Sequence, residues 1–136
     1  MSLYIRTVNY YETDKMGITH HSNYIRYMEE ARIDFLQKMG YPMTRLEAEG
    51  VVSPVVSVDC RYKNPSTFSD ELVISVSVEK YTGVKVVFSY RGVNSQTGKT
   101  IFEANSTHCF INPQGRPVSV KKNFPEFDKK LSAEIL

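Results

Sequence analysis

The residues of this 136-residue chain best equipped for chemistry lie between Tyr10 and Arg32, in the stretch YYETDKMGITHHSNYIRYMEEAR. Asp14 offers a carboxylate, Gly17 a turn residue, and His20 and His21 two adjacent imidazoles, all just ahead of a segment with helical periodicity. A carboxylate can act as general base toward a positioned water or as a nucleophile toward a carbonyl carbon. A helix start adds backbone N–H groups without intrahelical acceptors, at the positive end of the helix dipole, where a developing oxyanion is stabilised. Each residue also has a structural reading. Loop aspartates hold turns together, a glycine supplies a backbone shape or a close approach, and imidazoles pack at helix entrances.

Positioning those groups requires a strand before them and a helix behind them. Leu3 to Tyr10 reads as a first strand and Tyr11 to Ser22 as a polar loop. From about Asn23 to Met39, Tyr24, Tyr27, Met28, Ala31, Phe35 and Leu36 keep near-helical spacing, and Ile25, Ile33 and Met39 widen the stripe, so the helix is expected to be buried on much of its circumference. Ser22 or Asn23 is expected to cap its first amides, and Gly40 followed by Pro42 ends it. A short helical segment is expected at Met43 to Glu49.

The remainder reads as strand. Val56, Val58, Cys60 and Tyr62 alternate with polar residues, as do Leu72, Ile74, Val76 and Val78 with their neighbours. Thr82-Gly83 introduces Val84, Val86, Phe88 and Tyr90, and Asn94 to Gly98 leads into a last strand ending near Ile111; both connections carry hairpin signals. One long apolar helix and four following strands satisfy each other when an antiparallel sheet wraps the helix, an α+β arrangement. Length predicts a single domain over 1–136, with a core of about 3–112. The tail, 113–136, is expected to form a short terminal helix or to lie on the surface, its charge run a solvated face.

Composition excludes several classes of function. Seventeen Lys and Arg against fifteen Asp and Glu leave a net charge of +2, too little to argue a nucleic-acid surface. The apolar runs are too short to span a membrane and the N-terminus lacks the form of an export signal, which predicts a cytoplasmic protein. Cys60 and Cys109 are far apart and outside any CxxC pair, as expected of two reduced core thiols. No GxSxG elbow surrounds a serine, and no phosphate-binding or dinucleotide glycine pattern occurs. The three histidines are poorly spaced for a metal, and His108 is explained by packing within a strand. No cofactor is implied.

The segment resembles the signature of the 4-hydroxybenzoyl-CoA thioesterase and acyl-CoA thioester hydrolase branch of the hotdog superfamily. Matching features are Thr13-Asp14 followed by Gly17, His21 seven positions after the aspartate, Asn23-Tyr24, and Glu29-x-Ala31-Arg32. Asn64-Pro65 and Asp70-x-Leu72 resemble the family's connection between its second and third strands, so the likeness spans most of Leu3 to Asn112. The resemblance implies an acyl-CoA thioesterase in which Asp14 activates water or attacks the thioester. It further implies that the His21 backbone N–H holds the carbonyl oxygen. Tyr11, Gly17, Asn23 and Tyr24 are the substrate-binding candidates. His20 is expected to pack where relatives have an aromatic, and Glu29 and Arg32 to pair or to orient neighbours.

The same resemblance implies paired subunits, as a homodimer or homotetramer, and leaves an acyl carrier protein open as the thioester donor. Two other readings share the fold. A hotdog enoyl-CoA hydratase would carry a closer Asp-to-His spacing or a histidine in a Gly-Pro turn, and neither is present. A non-catalytic acyl-CoA-binding hotdog protein would usually bring a DNA-binding extension, for which the chain has no room.

Overall fold

In the computed structural model, which describes residues 1–135, the apolar stripe becomes a helix, α1 (Ser22–Lys38). Tyr24, Tyr27, Met28, Ala31, Phe35 and Leu36 are buried along it, whereas Ile25 is exposed and Ile33 only half-buried, so the covered face is narrower than the sequence suggests. Each fully buried large apolar side chain contributes about 1.5–3 kcal/mol before conformational entropy is set against it. Neither Ser22 nor Asn23 caps α1 with its side chain. His21 holds the N-cap position, while Ser22 N–H donates to His20 Nδ1 at 3.3 Å and Asn23 N–H to the His20 carbonyl at 3.0 Å. At the other end Gly40 turns left-handed (φ +90°), Tyr41 N–H closes onto the Leu36 carbonyl, and Lys130 Nζ caps the Met39 carbonyl at 2.7 Å.

Five antiparallel strands cover α1: β1 (Ser2–Thr7), β2 (Val55–Tyr62), β3 (Glu71–Tyr81), β4 (Lys85–Asn94) and β5 (Thr100–Cys109), in the spatial order β1-β3-β4-β5-β2. This is the α+β hotdog arrangement. The first strand is shorter than expected. It stops at Thr7, and Tyr10–Glu12 coils into a 3₁₀ turn because Asn9 N–H finds the Glu12 carboxylate instead of a ladder partner. A short helix α2 (Met43–Ala48) follows α1. Leu72, Ile74, Val76 and Val78 of β3 are completely inaccessible, facing the core with Val86, Phe88 and Tyr90 of β4. Gly92 pairs with Phe102 across β4 and β5, and any Cβ at 92 would overlap the Phe102 ring, so glycine lets that ring lie against the neighbouring strand.

A polar chain crosses this core. Arg32 Nη1 donates to the Tyr90 hydroxyl at 3.2 Å, Tyr90 pairs with Ser106 Oγ at 2.6 Å, and Ser106 with His108 Nε2 at 2.8 Å. Arginine can only donate, so the Tyr90 hydroxyl accepts from it, and the chain ends on the neutral imidazole of His108. Burial, followed by the nearby Arg32 charge, holds its pKa down to about 4. Arg32 is therefore engaged with the sheet and not with Glu29, which is exposed.

Of its two expected forms the tail takes the helical one, and one face of it packs into the core. Helices α3 (Val120–Asn123) and α4 (Pro125–Ala133) bury Val120, Phe127 and Leu131, and the Phe127 ring lies 4.5 Å from that of Tyr41. Lys121, Lys122 and Lys129 remain solvated. The two cysteines are unpaired but half-buried, Cys60 against the core margin. No helix among the described residues is long and apolar enough to cross a membrane.

Candidate active site

Asp14 sits in a closed loop whose sides are joined by the Thr13↔Thr19 bridge. Asp14 N–H donates to the Ile18 carbonyl and Gly17 N–H to the Asp14 carbonyl, both at 2.9 Å, and Gly17 adopts φ +80°, which favours glycine. One carboxylate oxygen, Oδ1, accepts Met16 N–H at 2.8 Å, so Asp14 does hold its own turn. Its other oxygen accepts no hydrogen bond among the described residues.

The loop is tied to the connection between β2 and β3. Ile18 bridges Thr67, whose hydroxyl donates to the Gly17 carbonyl at 2.7 Å, and Thr19 N–H donates to the Ser66 carbonyl at 2.8 Å. Buried Ser66 Oγ pairs at 2.7 Å with both Thr19 Oγ1 and the Tyr24 hydroxyl. Asp70 closes this connection, taking Thr67 N–H on its carboxylate and Val8 N–H on its carbonyl. Ser66 and Thr67, with Asp70 bracing Thr67, thus hold the loop against this connection, while the Asn64 amide donates to the Thr100 carbonyl of β5.

Between loop, helix entrance and β2 lies an open cavity of about 600 Å³. Asp14, Ile18, Thr19, His21 and Tyr24 line one side, and Tyr62, Lys63, Asn64 and Pro65 the other. The wall is largely aromatic: Tyr24 and Tyr62 centroids are 5.7 Å apart, the His21 ring meets Tyr62 edge-on at 5.9 Å and lies 4.3 Å from His20. Burial pushes the Tyr24 hydroxyl pKa up, so it stays a protonated hydrogen-bonding group at neutral pH. The His21 N–H reaches no protein acceptor among the described residues, leaving an uncommitted donor at the start of α1.

Asp14, His21 and Tyr24 of the sequence-derived candidates therefore come together at the cavity. Tyr11 is 79% exposed and outside its lining, and Gly17 shapes the loop tip from outside it. Asn23 is buried, its amide donating to the Glu12 and His20 carbonyls, so it holds the loop and does not face the cavity. His20 is exposed and hydrogen-bonded to Ser22, with its ring against that of His21. Sequence reasoning did not select Thr19, Ser66, Tyr62 or Lys63. Only Tyr62 carried a signal, as the last apolar position in the alternation of β2.

The profile of the thioesterase-like superfamily matches residues 8–135. The chain belongs to that superfamily. Membership places it among the hydrolases that act on thioesters. A Bacillus subtilis relative named "Putative acyl-CoA thioesterase YneP" is 33% identical over 88% of this chain and 87% of its own. A DHNA-CoA thioesterase from Staphylococcus aureus superposes with a TM-score of 0.91 at 28% identity, covering 97% of this thioesterase-like chain and 89% of the other. A hypothetical protein of Aquifex aeolicus matches with a TM-score of 0.88 at 34% identity, over 96% and 99% of the two chains.

Proposed function

We propose that the protein hydrolyses an acyl-CoA to the free acid and coenzyme A, with Asp14 as its catalytic carboxylate and the His21 N–H as donor to the thioester carbonyl oxygen. One observation carries the reading: Asp14, one carboxylate oxygen of which has no partner among the described residues, and His21, whose N–H has no acceptor among them, line the same cavity. In the general-base route, Asp14 takes a proton from water as the water oxygen attacks the carbonyl carbon. The oxyanion forms against the His21 amide, then the C–S bond breaks and Asp14 returns the proton to the leaving sulfur. In the nucleophilic route the carboxylate attacks first and expels the coenzyme A thiolate as the C–S bond breaks; water then cleaves the mixed anhydride, giving the free acid, the Asp14 carboxylate and the proton that converts the thiolate to the thiol.

Relatives named for coenzyme A thioesters support that substrate class, and an acyl carrier protein presents the same bond. The assembly is a homodimer or homotetramer. Val56, Val58 and Tyr62 lie exposed on β2, an edge strand beside the cavity, which favours pairing with a second copy there. Unpaired cysteines support a cytoplasmic setting.

The test is Asp14→Asn, scored by thiol release from a panel of benzoyl-, butyryl- and palmitoyl-CoA. The substitution preserves volume and the bond from Met16 N–H but removes the charge. Turnover of the best substrate falls on the order of 10²- to 10⁴-fold, with thermal midpoint and oligomeric state unchanged. Turnover within a few-fold of the parent sinks the mechanism; a loss confined to KM makes Asp14 a binding group only.

A further inference from the structure

Two residues before Asp14, a second carboxylate is buried and takes no part in the cavity. Glu12 is 4% exposed, and its two oxygens receive four hydrogen bonds. Oε1 accepts Arg6 Nη1 at 2.9 Å, Asn9 N–H at 2.8 Å and the Tyr27 hydroxyl at 2.8 Å; Oε2 accepts Arg6 Nη2 at 2.8 Å. Arg6 is itself held by Glu30 at 2.9 Å and lies 4.5 Å above the centroid of the Tyr27 ring. The side chain thus binds β1 and the middle of α1 to the loop.

The backbone of Glu12 completes a triangle. Its carbonyl accepts His20 N–H at 2.8 Å and Asn23 Nδ2 at 3.0 Å, and Asn23 Nδ2 also bonds the His20 carbonyl. Asp14 follows Glu12 by two residues, and His21 directly follows His20. The carboxylate is therefore tied to Glu12 through two residues of chain, and the amide through His20, whose own N–H is hydrogen-bonded to the Glu12 carbonyl. Burial favours the neutral form of Glu12, but the Asn9 amide, Tyr27 and Arg6 outweigh it and hold the pKa below the usual carboxylate range. The Arg6 clamp is accordingly ionic at neutral pH.

We infer that Glu12, locked by Arg6 and Tyr27, is a positioning residue that sets the placement of Asp14 relative to the His21 amide; this rests on the hydrolysis proposed for that site. Glu12 lies outside the cavity, so it affects the reacting geometry without touching substrate. A small misplacement of reacting groups lowers turnover about 10- to 100-fold while leaving binding nearly intact.

The experiment compares Glu12→Gln, Tyr27→Phe, Arg6→Met and the double variant Arg6→Met/Glu12→Gln in the full chain, with the best acyl-CoA of the panel as probe. Glu12→Gln is expected to lose about 10- to 100-fold in kcat with KM within about two-fold, and Tyr27→Phe a smaller factor in the same sense. The double variant, relieved of the unpaired buried charge left by Arg6→Met, regains thermal midpoint over that single variant, yet kcat stays low. Parental kcat in folded Glu12→Gln overturns the inference, as does kcat that recovers in step with the midpoint, or a loss confined to KM. If Glu12→Gln does not fold, Tyr27→Phe decides, and parental kcat there is equally fatal. A parent without thioesterase turnover, or one insensitive to Asp14→Asn, refutes the proposed function and this inference with it. Asp14-dependent turnover with parental kcat in Glu12→Gln refutes only the positioning role.

Discussion

β3 and β2 are written in the same alternating pattern and meet opposite fates. Every second residue of β3 from Leu72 to Val78 is wholly inaccessible, while Val56 and Val58 of β2 are 53% and 44% exposed. The difference is position in the sheet. β3 lies between β1 and β4 under α1, whereas β2 pairs with β5 on one side and offers its other edge to solvent. Alternation in a sequence therefore announces that a face is to be covered, without saying whether the same chain supplies the cover.

Breaking the covered strand should have the largest effect. Ile74→Ala removes a fully buried side chain and is expected to destabilise the fold by about 2–5 kcal/mol, read from urea unfolding. A result near zero would show that β3 is not the rigid half of the pair.

The seam between the two regimes is pH-sensitive. His108 pairs with Val55 where β5 meets β2, and its folded pKa of about 4 lies below the ordinary 6.5. The unfolded chain binds that proton more readily, so the contribution of His108 is complete above pH 6.5 and declines as pH falls toward 4, by on the order of 3 kcal/mol. Replacing it by Gln should flatten the stability profile across that window, measured by denaturation at stepped pH. An unchanged slope would mean that another group causes the acid loss.

The smallest effect on the chain itself is expected at the uncovered strand. Val58→Lys should change the stability of the folded subunit within about 0.5 kcal/mol, because the side chain is already exposed. Sedimentation should nonetheless show the proposed homodimer or homotetramer replaced by a smaller species. A parent that is monomeric at micromolar concentration would reduce β2 to an ordinary edge and remove the contrast.

What could be read in the sequence was what repeats locally. The stripe of α1, its glycine stop, both hairpin turns and the alternation of β2 and β3 were legible because period and turn chemistry are properties of neighbours. The loop was legible as a place where Asp14 and His21 converge on one helix entrance. Glu12 and Ser66 were not, since their burial comes from partners on other elements: Arg6 of β1 and Tyr27 of α1 for one, Thr19 and Tyr24, more than forty residues back along the chain, for the other. The tail was legible as a short terminal helix with solvated lysines, but not the burial of Phe127 and Leu131, which stand four apart behind Pro125 and find their partners in the core.

Gly92 ties the shape of the cavity to a strand that does not border it. Phe102, whose ring occupies the space a larger residue at 92 would claim, lies 5.2 Å from Tyr24, the innermost ring of the cavity wall. Positions 92, 102 and 24 therefore form one combinatorial unit. A library that varies Tyr24 to retune acyl preference should hold 92 as glycine while 102 is aromatic, and should open 92 only in clones where the Phe102 ring has been shortened.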